Sequence, residues 1–450
     1  MRLKPAVKEM KNKAIGLGKV ASSKITEFNH NSLTILLLLL IPPSMIILGY
    51  NIPVIYFLMP IFAFVFIAIV AGWIKKPKIT RVFIALWGLI ICQVLISGIL
   101  GPIVLLDVFS FPNEVLQYVT RFLVFVGLIA IIYNSKISES YFIKIFSVVS
   151  LTAMAVGILQ WIPWIGQEFM LRSYAMVDRE IGISQVGTLV SRVPGIARHA
   201  TSTGGLAAFI FMFSLSMLLT KNRYWMFGIV GIVFSILNLI AAQARGGMLA
   251  VAVTFMVIYF VDGISKRKIK ANLLKMLLVI TVVLSLLVFL YNQGNPHVVQ
   301  GYDRWGRLFD QIADGGNRYS QITRGLSLLD SPYTYIFGVS RGFQVLYGFM
   351  LEVEFLNILV LYGLSGFVLQ YGLVLFLLYY FYKNLRLVAK NNTIYTLTLA
   401  SFSGLFSYQV FSTAYYFFRE INVGLYPWVF FGITIGLIER YKRNISNLEK

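Results

Sequence analysis

The chain has 450 residues, 58% of them hydrophobic and only 13% charged, with a mean hydropathy of +0.78 and a formal net charge of +21. Apolar runs of about 17–25 residues, the length needed to cross a bilayer, recur throughout and exclude a water-soluble globular domain. The charge excludes a nucleic-acid footprint once it is divided: cytoplasmic segments hold 27 Lys+Arg against six acids, whereas the remainder holds 12 Arg against 12 acids.

In chain order, residues 1–32 form a basic cytoplasmic segment carrying Arg2, Lys4, Lys8, Lys11, Lys13, Lys19 and Lys24. No small-residue cleavage site follows, so it reads as an orientation signal and not as a removable leader. Residues 33–440 read as an all-α, polytopic membrane domain of about twelve transmembrane helices. They are predicted at 33–50, 53–74, 82–100, 116–134, 141–163, 204–220, 224–243, 246–262, 276–292, 355–382, 395–413 and 425–439. Pro42-Pro43 should kink the first. Two long external segments, 164–203 and 293–354, interrupt the series. The second carries an amphipathic stretch, Tyr319 to Leu329, expected to fold on the membrane surface. Residues 441–450 return to the cytoplasm, as an even helix count requires.

Every Lys falls on the cytoplasmic side. The basic residues assigned outside or within the membrane are all Arg: Arg121, Arg172, Arg179, Arg192, Arg198, Arg245, Arg304, Arg307, Arg318, Arg324, Arg341 and Arg419. Orientation needs positive charge inside and has no use for Arg outside. A guanidinium is always charged and forked, and it clamps phosphate or carboxylate at two points. The external face therefore points to an anionic ligand, phosphate first. Cys92 is the sole cysteine and the three His (His30, His199, His297) are scattered. Neither a disulfide framework nor a metal centre is expected, and no cofactor.

Three segments carry candidate chemistry. Gln243-Ala244-Arg245-Gly246-Gly247 places an Arg in a hairpin too short to leave the membrane, where a helix N-terminus is a ready anion site; an Arg snorkelling to the interface is the plain alternative. Gly316-Asn317-Arg318, with Arg324 and then Gly338-Val339-Ser340-Arg341-Gly342, supplies further cations that surface placement on an amphipathic helix would explain as well. Leu351-Glu352-Val353-Glu354 sets two carboxylates at the mouth of a helix entering the membrane. They serve either as favourable charge at its N-terminus or as a general base at the outer leaflet.

These pieces, in this order, resemble the O-antigen polymerase and O-antigen ligase family over roughly residues 190–370. Arg245 matches the Arg of a turn between two helices, Arg318 the Arg leading the amphipathic segment, Gly338-Val339-Ser340-Arg341-Gly342 a Gly-Val-Gly-like turn, and Gly363-Leu364-Ser365-Gly366 the closing glycines. Arg192-Val193-Pro194-Gly195-Ile196-Ala197-Arg198-His199 looks like the family's upstream Arg-x-x-Gly segment. Where the ligase branch carries His-Asn, this chain has Glu352-Val353-Glu354, which favours the polymerase branch.

The resemblance implies a GT-C-like membrane glycosyltransferase in a cell (inner) membrane with its site on the external face. It would join undecaprenyl-pyrophosphate-linked oligosaccharide repeat units by metal-independent, inverting transfer. Arg245 and Arg318, assisted by Arg192 or Arg198 and with Arg324 and Arg341 nearby, would hold the diphosphate. Glu352 or Glu354 would be the base, with His199 and Asp178 next in line. Membrane lipids and a chain-length regulator protein are the expected partners. The rival readings are a ligase to lipid A core and a flippase for lipid-linked oligosaccharides.

Overall fold

The computed structural model describes residues 28–43, 45–47, 50–105, 111–174, 192–294, 299, 317–341, 351–415 and 423–449. Apart from one short β-hairpin, its regular elements are helical: α1 (His30–Leu38), β1 (Met45–Ile47), β2 (Tyr50–Ile52), a 3₁₀ turn (Val54–Leu58), α2 (Met59–Val70), α3 (Lys78–Leu105), α4 (Phe111–Asn134), α5 (Glu139–Trp161) and α6 (Gln167–Tyr174). A 3₁₀ turn (Gly195–Ala197) then leads into α7 (Ala200–Leu219), α8 (Trp225–Ala242), α9 (Arg245–Ser265), α10 (Ile269–Asn292), α11 (Asn317–Ser327), α12 (Pro332–Phe337), α13 (Glu354–Val388), α14 (Asn392–Ser412) and α15 (Leu425–Leu448). Among the described residues, seven helices (α3, α4, α5, α7, α8, α9 and α13) are long and apolar enough to cross a membrane. Their number and length are consistent with a membrane-embedded protein.

One predicted span has a different form. The run expected as a helix over 33–50 stops at Leu38, and β1 pairs antiparallel with β2, Ile46 opposite Asn51. Pro42 and Pro43 cannot donate to a helical ladder and hold the residue before them out of the α region, so the helix ends where a kink was expected.

Helix association in a bilayer depends on close van der Waals packing, because lipid tails are as apolar as the side chains. α14 is the hub. It packs against α7, α9, α13 and α15, and both it and α7 are buried on nearly every face. Small residues permit the approach: a Cβ on Gly432 of α15 would lie 2.9 Å from the Phe125 carbonyl of α4, and one on Gly231 of α8 would lie 2.3 Å from Ser214 Oγ of α7. Between them lies an aromatic core in which Phe146, Phe213 and Phe430 meet at 4.6–5.5 Å between ring centroids.

Polar ties sort the two ends. At one end Asp262 accepts from Tyr395 Oη (2.8 Å) and Asn272 Nδ2 (2.9 Å) and pairs with Lys266 (2.7 Å). Arg440 there donates to the carbonyls of Ser135 (2.8 Å) and Ile137 (2.6 Å) and pairs with Glu139 (3.0 Å). This is the lysine-bearing end. The candidate site residues lie at the opposite end.

Candidate functional site

The hairpin between α8 and α9 gathers the first cluster. Gln243, at φ +50°, ends α8 in a left-handed cap, and Arg245 opens α9 two residues later. The segment before α7 is laced along the same turn. Val193 N–H donates to Ala241 O (3.2 Å), Arg192 Nε to Ala242 O (3.2 Å) and Arg192 Nη2 to Thr201 Oγ1 (3.3 Å). Arg192 and Arg245 thus flank one hairpin. The two glycines after Arg245 serve packing: a Cβ on Gly246 would sit 2.6 Å from Ala414 Cβ at the end of α14, and one on Gly247 would sit 2.6 Å from the Gly204 carbonyl of α7. Close packing therefore holds the N-terminus of α9 between α7 and α14. Arg245 itself is half-buried and engaged with its neighbours.

Arg198 takes a left-handed conformation (φ +66°), is buried, and donates from Nε to the Tyr174 carbonyl (3.3 Å). Its neighbour His199 stacks on Tyr415, centroids 5.2 Å apart and planes 4° from parallel. His199 Nδ1 is buried with no hydrogen-bond partner among the described residues. Burial, with the nearby Arg192 charge, pushes the imidazole below its usual pKa. It is therefore neutral near pH 7, with a lone pair to offer.

The second cluster lies where α11 covers the start of α13. Gly325 allows the contact: a Cβ there would be 3.2 Å from Leu351 Cδ2 and 3.4 Å from Val360 Cγ2. The Glu352 N–H donates to Gln321 Oε1 (3.1 Å), and its side chain is half-buried. Glu354, the first residue of α13, is fully buried. Its charge acts on Tyr371 and Tyr408, and Arg121 of α4 acts on the same Tyr408. The two carboxylates face different surroundings, one toward the outer layer and one toward the helix interior. Arg318 is the second residue of α11, Arg324 is exposed near that helix's end, and Arg341 is half-buried.

The two glycine motifs meet. Gly363 breaks α13 with φ +67° and ψ −173°, and Gly338 ends α12 with φ +82°. A Cβ on Gly338 would lie 2.3 Å from the Leu361 carbonyl oxygen, and one on Gly363 would lie 2.2 Å from that of Ile336. The break frees carbonyls of α13, and the 339–340 backbone satisfies them: Val339 N–H donates to Val360 O (2.9 Å) and Ser340 N–H to Leu361 O (3.0 Å). From α3, Gln93 Nε2 donates to Tyr362 O (2.9 Å) and Ser97 Oγ to Phe337 O. The break also divides α13 into a short outer piece and the stretch 364–388, which at 1.5 Å per residue covers about 37 Å.

The structure thus brings Arg192, Arg198, Arg245 and His199 to one cluster and places Glu352, Arg318 and Arg324 on the α11–α13 junction. The end of α14 lies beside the first cluster, with Ala414 against Gly246, and α14 also packs along α13. Asp178, Arg179, Arg304, Arg307 and Arg419 fall outside the described residues. Sequence reasoning passed over the buried ionisable pair Glu114 and Arg121 on α4 as site residues. Their presence inside an apolar span was the available signal. Among the described residues, no three His, Cys, Asp or Glu side chains gather as metal ligands. No family model and no curated protein matches the chain.

Proposed function

We propose that the protein is a polysaccharide polymerase of the outer leaflet, a twelve-span membrane glycosyltransferase with cytoplasmic termini. It joins repeat units carried on undecaprenyl diphosphate. The observation that carries this reading is the convergence of Arg192 and Arg245 on one membrane-level hairpin, with Arg198 adjoining. Forked cations fixed at an outer helix N-terminus suit a diphosphate whose negative charge grows as it departs.

In the reaction, the acceptor sugar hydroxyl attacks the anomeric carbon of the lipid-linked donor glycan. The bond from that carbon to the diphosphate oxygen breaks as the glycosidic bond forms, with inversion. The hydroxyl proton passes to a base, and undecaprenyl diphosphate leaves held by the Arg cluster. Glu352, half-exposed beside α11, and Glu354, buried behind it, are the carboxylate candidates. The unpartnered Nδ1 of His199 supports a third assignment, since it stands beside the cations. A flippase would want cations along a path through the membrane. Here Arg192, Arg198 and Arg245 gather at one end.

The test is polymer length in cells expressing Arg245→Lys at parental protein levels. Lys keeps the charge and loses the fork, so long polymer should be lost while single repeat units still reach the outer face. Normal polymer from Arg245→Lys together with Arg192→Lys would refute the clamp.

A further inference from the structure

α10 packs on α9 at its foot, toward the lysine-bearing end. Ile269 and Asn272 close on Gly263 there: an added Cβ on that glycine would lie 3.0 Å from Ile269 Cα and 3.5 Å from Asn272 Cβ. Asn272 Nδ2 ties the same point to the Tyr259 carbonyl (3.3 Å) and to Asp262 (2.9 Å). Farther out the two helices part. Leu277, Leu278, Val288, Phe289 and Tyr291 of α10 are exposed. So is the stripe of α9 that the foot covers lower down. Leu249, Ala252, Met256 and Phe260 recur at intervals of three and four, which puts them on one face with Gly263. Gly263 is buried, whereas Phe260, Met256 and Leu249 are 49%, 46% and 40% exposed.

The two helices therefore bound a wedge. It closes at Gly263 and opens toward the outer end, where Arg245 stands one turn beyond Leu249. No charged residue lies between Arg245 and Asp262 on α9, or between Lys275 and Asn292 on α10. A cation at the mouth of an uncharged apolar run fits an amphiphile with an anionic head and a hydrocarbon chain. Shape and length narrow the choice. A second helix, about 10–12 Å across, packs ridge into groove along its length and cannot follow a cleft that narrows to contact. A flexible chain can. From Arg245 to Phe260 the stripe covers about 22 Å at 1.5 Å per residue. One leaflet is about 15 Å of hydrocarbon, half of a core of about 30 Å, so a phospholipid tail ends before the stripe does. A longer chain fills it.

We propose that the wedge between α9 and α10 holds the hydrocarbon chain of a polyprenyl diphosphate and so brings its head to Arg245 from the flank of the bundle; the ligand named rests on the reading of Arg245 as the diphosphate clamp. In the experiment, full-length protein in lipid nanodiscs is given undecaprenyl diphosphate with a photoreactive diazirine midway along its chain, and the labelled residues are mapped by mass analysis. Label should fall on residues 249–260 of α9 and on α10. Unlabelled undecaprenyl diphosphate should compete it away, and an equal amount of phosphatidylglycerol should not. Ala252→Trp, which fills the wedge from an exposed position, should lower affinity for undecaprenyl diphosphate at least tenfold and leave that for short-chain geranyl diphosphate within about twofold. The thermal midpoint checks the fold of the variant; should it fall, the label map of the parent decides alone. Label elsewhere, equal competition by the phospholipid, or unchanged affinity in a folded Ala252→Trp protein would overturn the proposal. Polymer formation is scored on the same preparations. A labelled wedge in a protein that makes no polymer would keep the chain site and reject the polymerase. Polymer made by a protein labelled elsewhere would do the reverse.

Discussion

Gly363→Ala tests the join between the two glycine motifs. At φ +67° and ψ −173° the position belongs to backbone that only glycine adopts readily, so an L side chain costs about 1–3 kcal/mol in strain. The added Cβ would also lie 2.2 Å from Ile336 O and 2.3 Å from Ile336 C, backbone atoms that cannot swing aside. Relief means lifting the 336–340 segment off α13. That breaks the bonds from Val339 (2.9 Å), Ser340 (3.0 Å) and the Ser365 hydroxyl (2.7 Å), each contributing about 0.5–1.5 kcal/mol. The combined loss is roughly 3–7 kcal/mol. Gly372 on the same helix is the control, since a Cβ there meets nothing within 4 Å. Gly372→Ala should be neutral or gain about 0.5–1 kcal/mol from helix propensity. The assay is thermal unfolding in detergent followed by monodispersity, with limited proteolysis at residues 336–341. A Gly363→Ala protein as stable and protease-resistant as the parent, or a Gly372→Ala protein equally damaged, would refute the reasoning.

Other outcomes follow from the same geometry. Of Glu352→Gln and Glu354→Gln, the one that removes the base should slow polymer formation by about 10²–10⁴-fold; near-parental rates in both would move the role to His199. Because the His199 imidazole is held below its unfolded value of 6.5, the stability it contributes is present above that pH and lost as pH falls through the lowered value. His199→Gln should flatten this acid limb in thermal midpoints taken across pH 7 to 5, and an unchanged limb would show that the group is not responsible. Asp262→Asn, which removes the charge shared by Lys266, Tyr395 and Asn272, should cost about 1–3 kcal/mol while activity per folded molecule stays at the parental level. Reporters fused after Lys268 and after Gly316 should report opposite sides of the membrane, and the same side for both would end the twelve-span topology.

Much of the helical fold was legible because an apolar run bounded by Lys or Gly leaves little choice. The runs predicted at 82–100, 204–220 and 224–243 became α3, α7 and α8 within a few residues at each end, and the amphipathic stretch from Tyr319 became α11. The run at 33–50 failed because hydropathy cannot tell a helix from a hairpin once two prolines intervene. The break in α13 was hidden as well: the sequence marked Gly363 only as one of the closing glycines, and its non-helical backbone becomes evident once the 336–340 segment is seen resting on it. At the site, Arg192 and Arg245 are 53 positions apart, and only the hydrogen bonds along the end of α8 show that they flank one hairpin. Glu352 and Glu354 could not be distinguished in the sequence. The helix begins between them, which buries one and leaves the other half-exposed.

The most direct measurement of the central claim is the stoichiometry of the reaction. Purified protein in EDTA is given lipid-linked repeat units, and undecaprenyl diphosphate released is counted against glycosidic bonds formed by mass analysis of the glycans. The account predicts one diphosphate lipid per new linkage and a ladder of products spaced by one repeat unit. Lipid-linked units recovered intact, or moved across the bilayer without any new linkage, would contradict it.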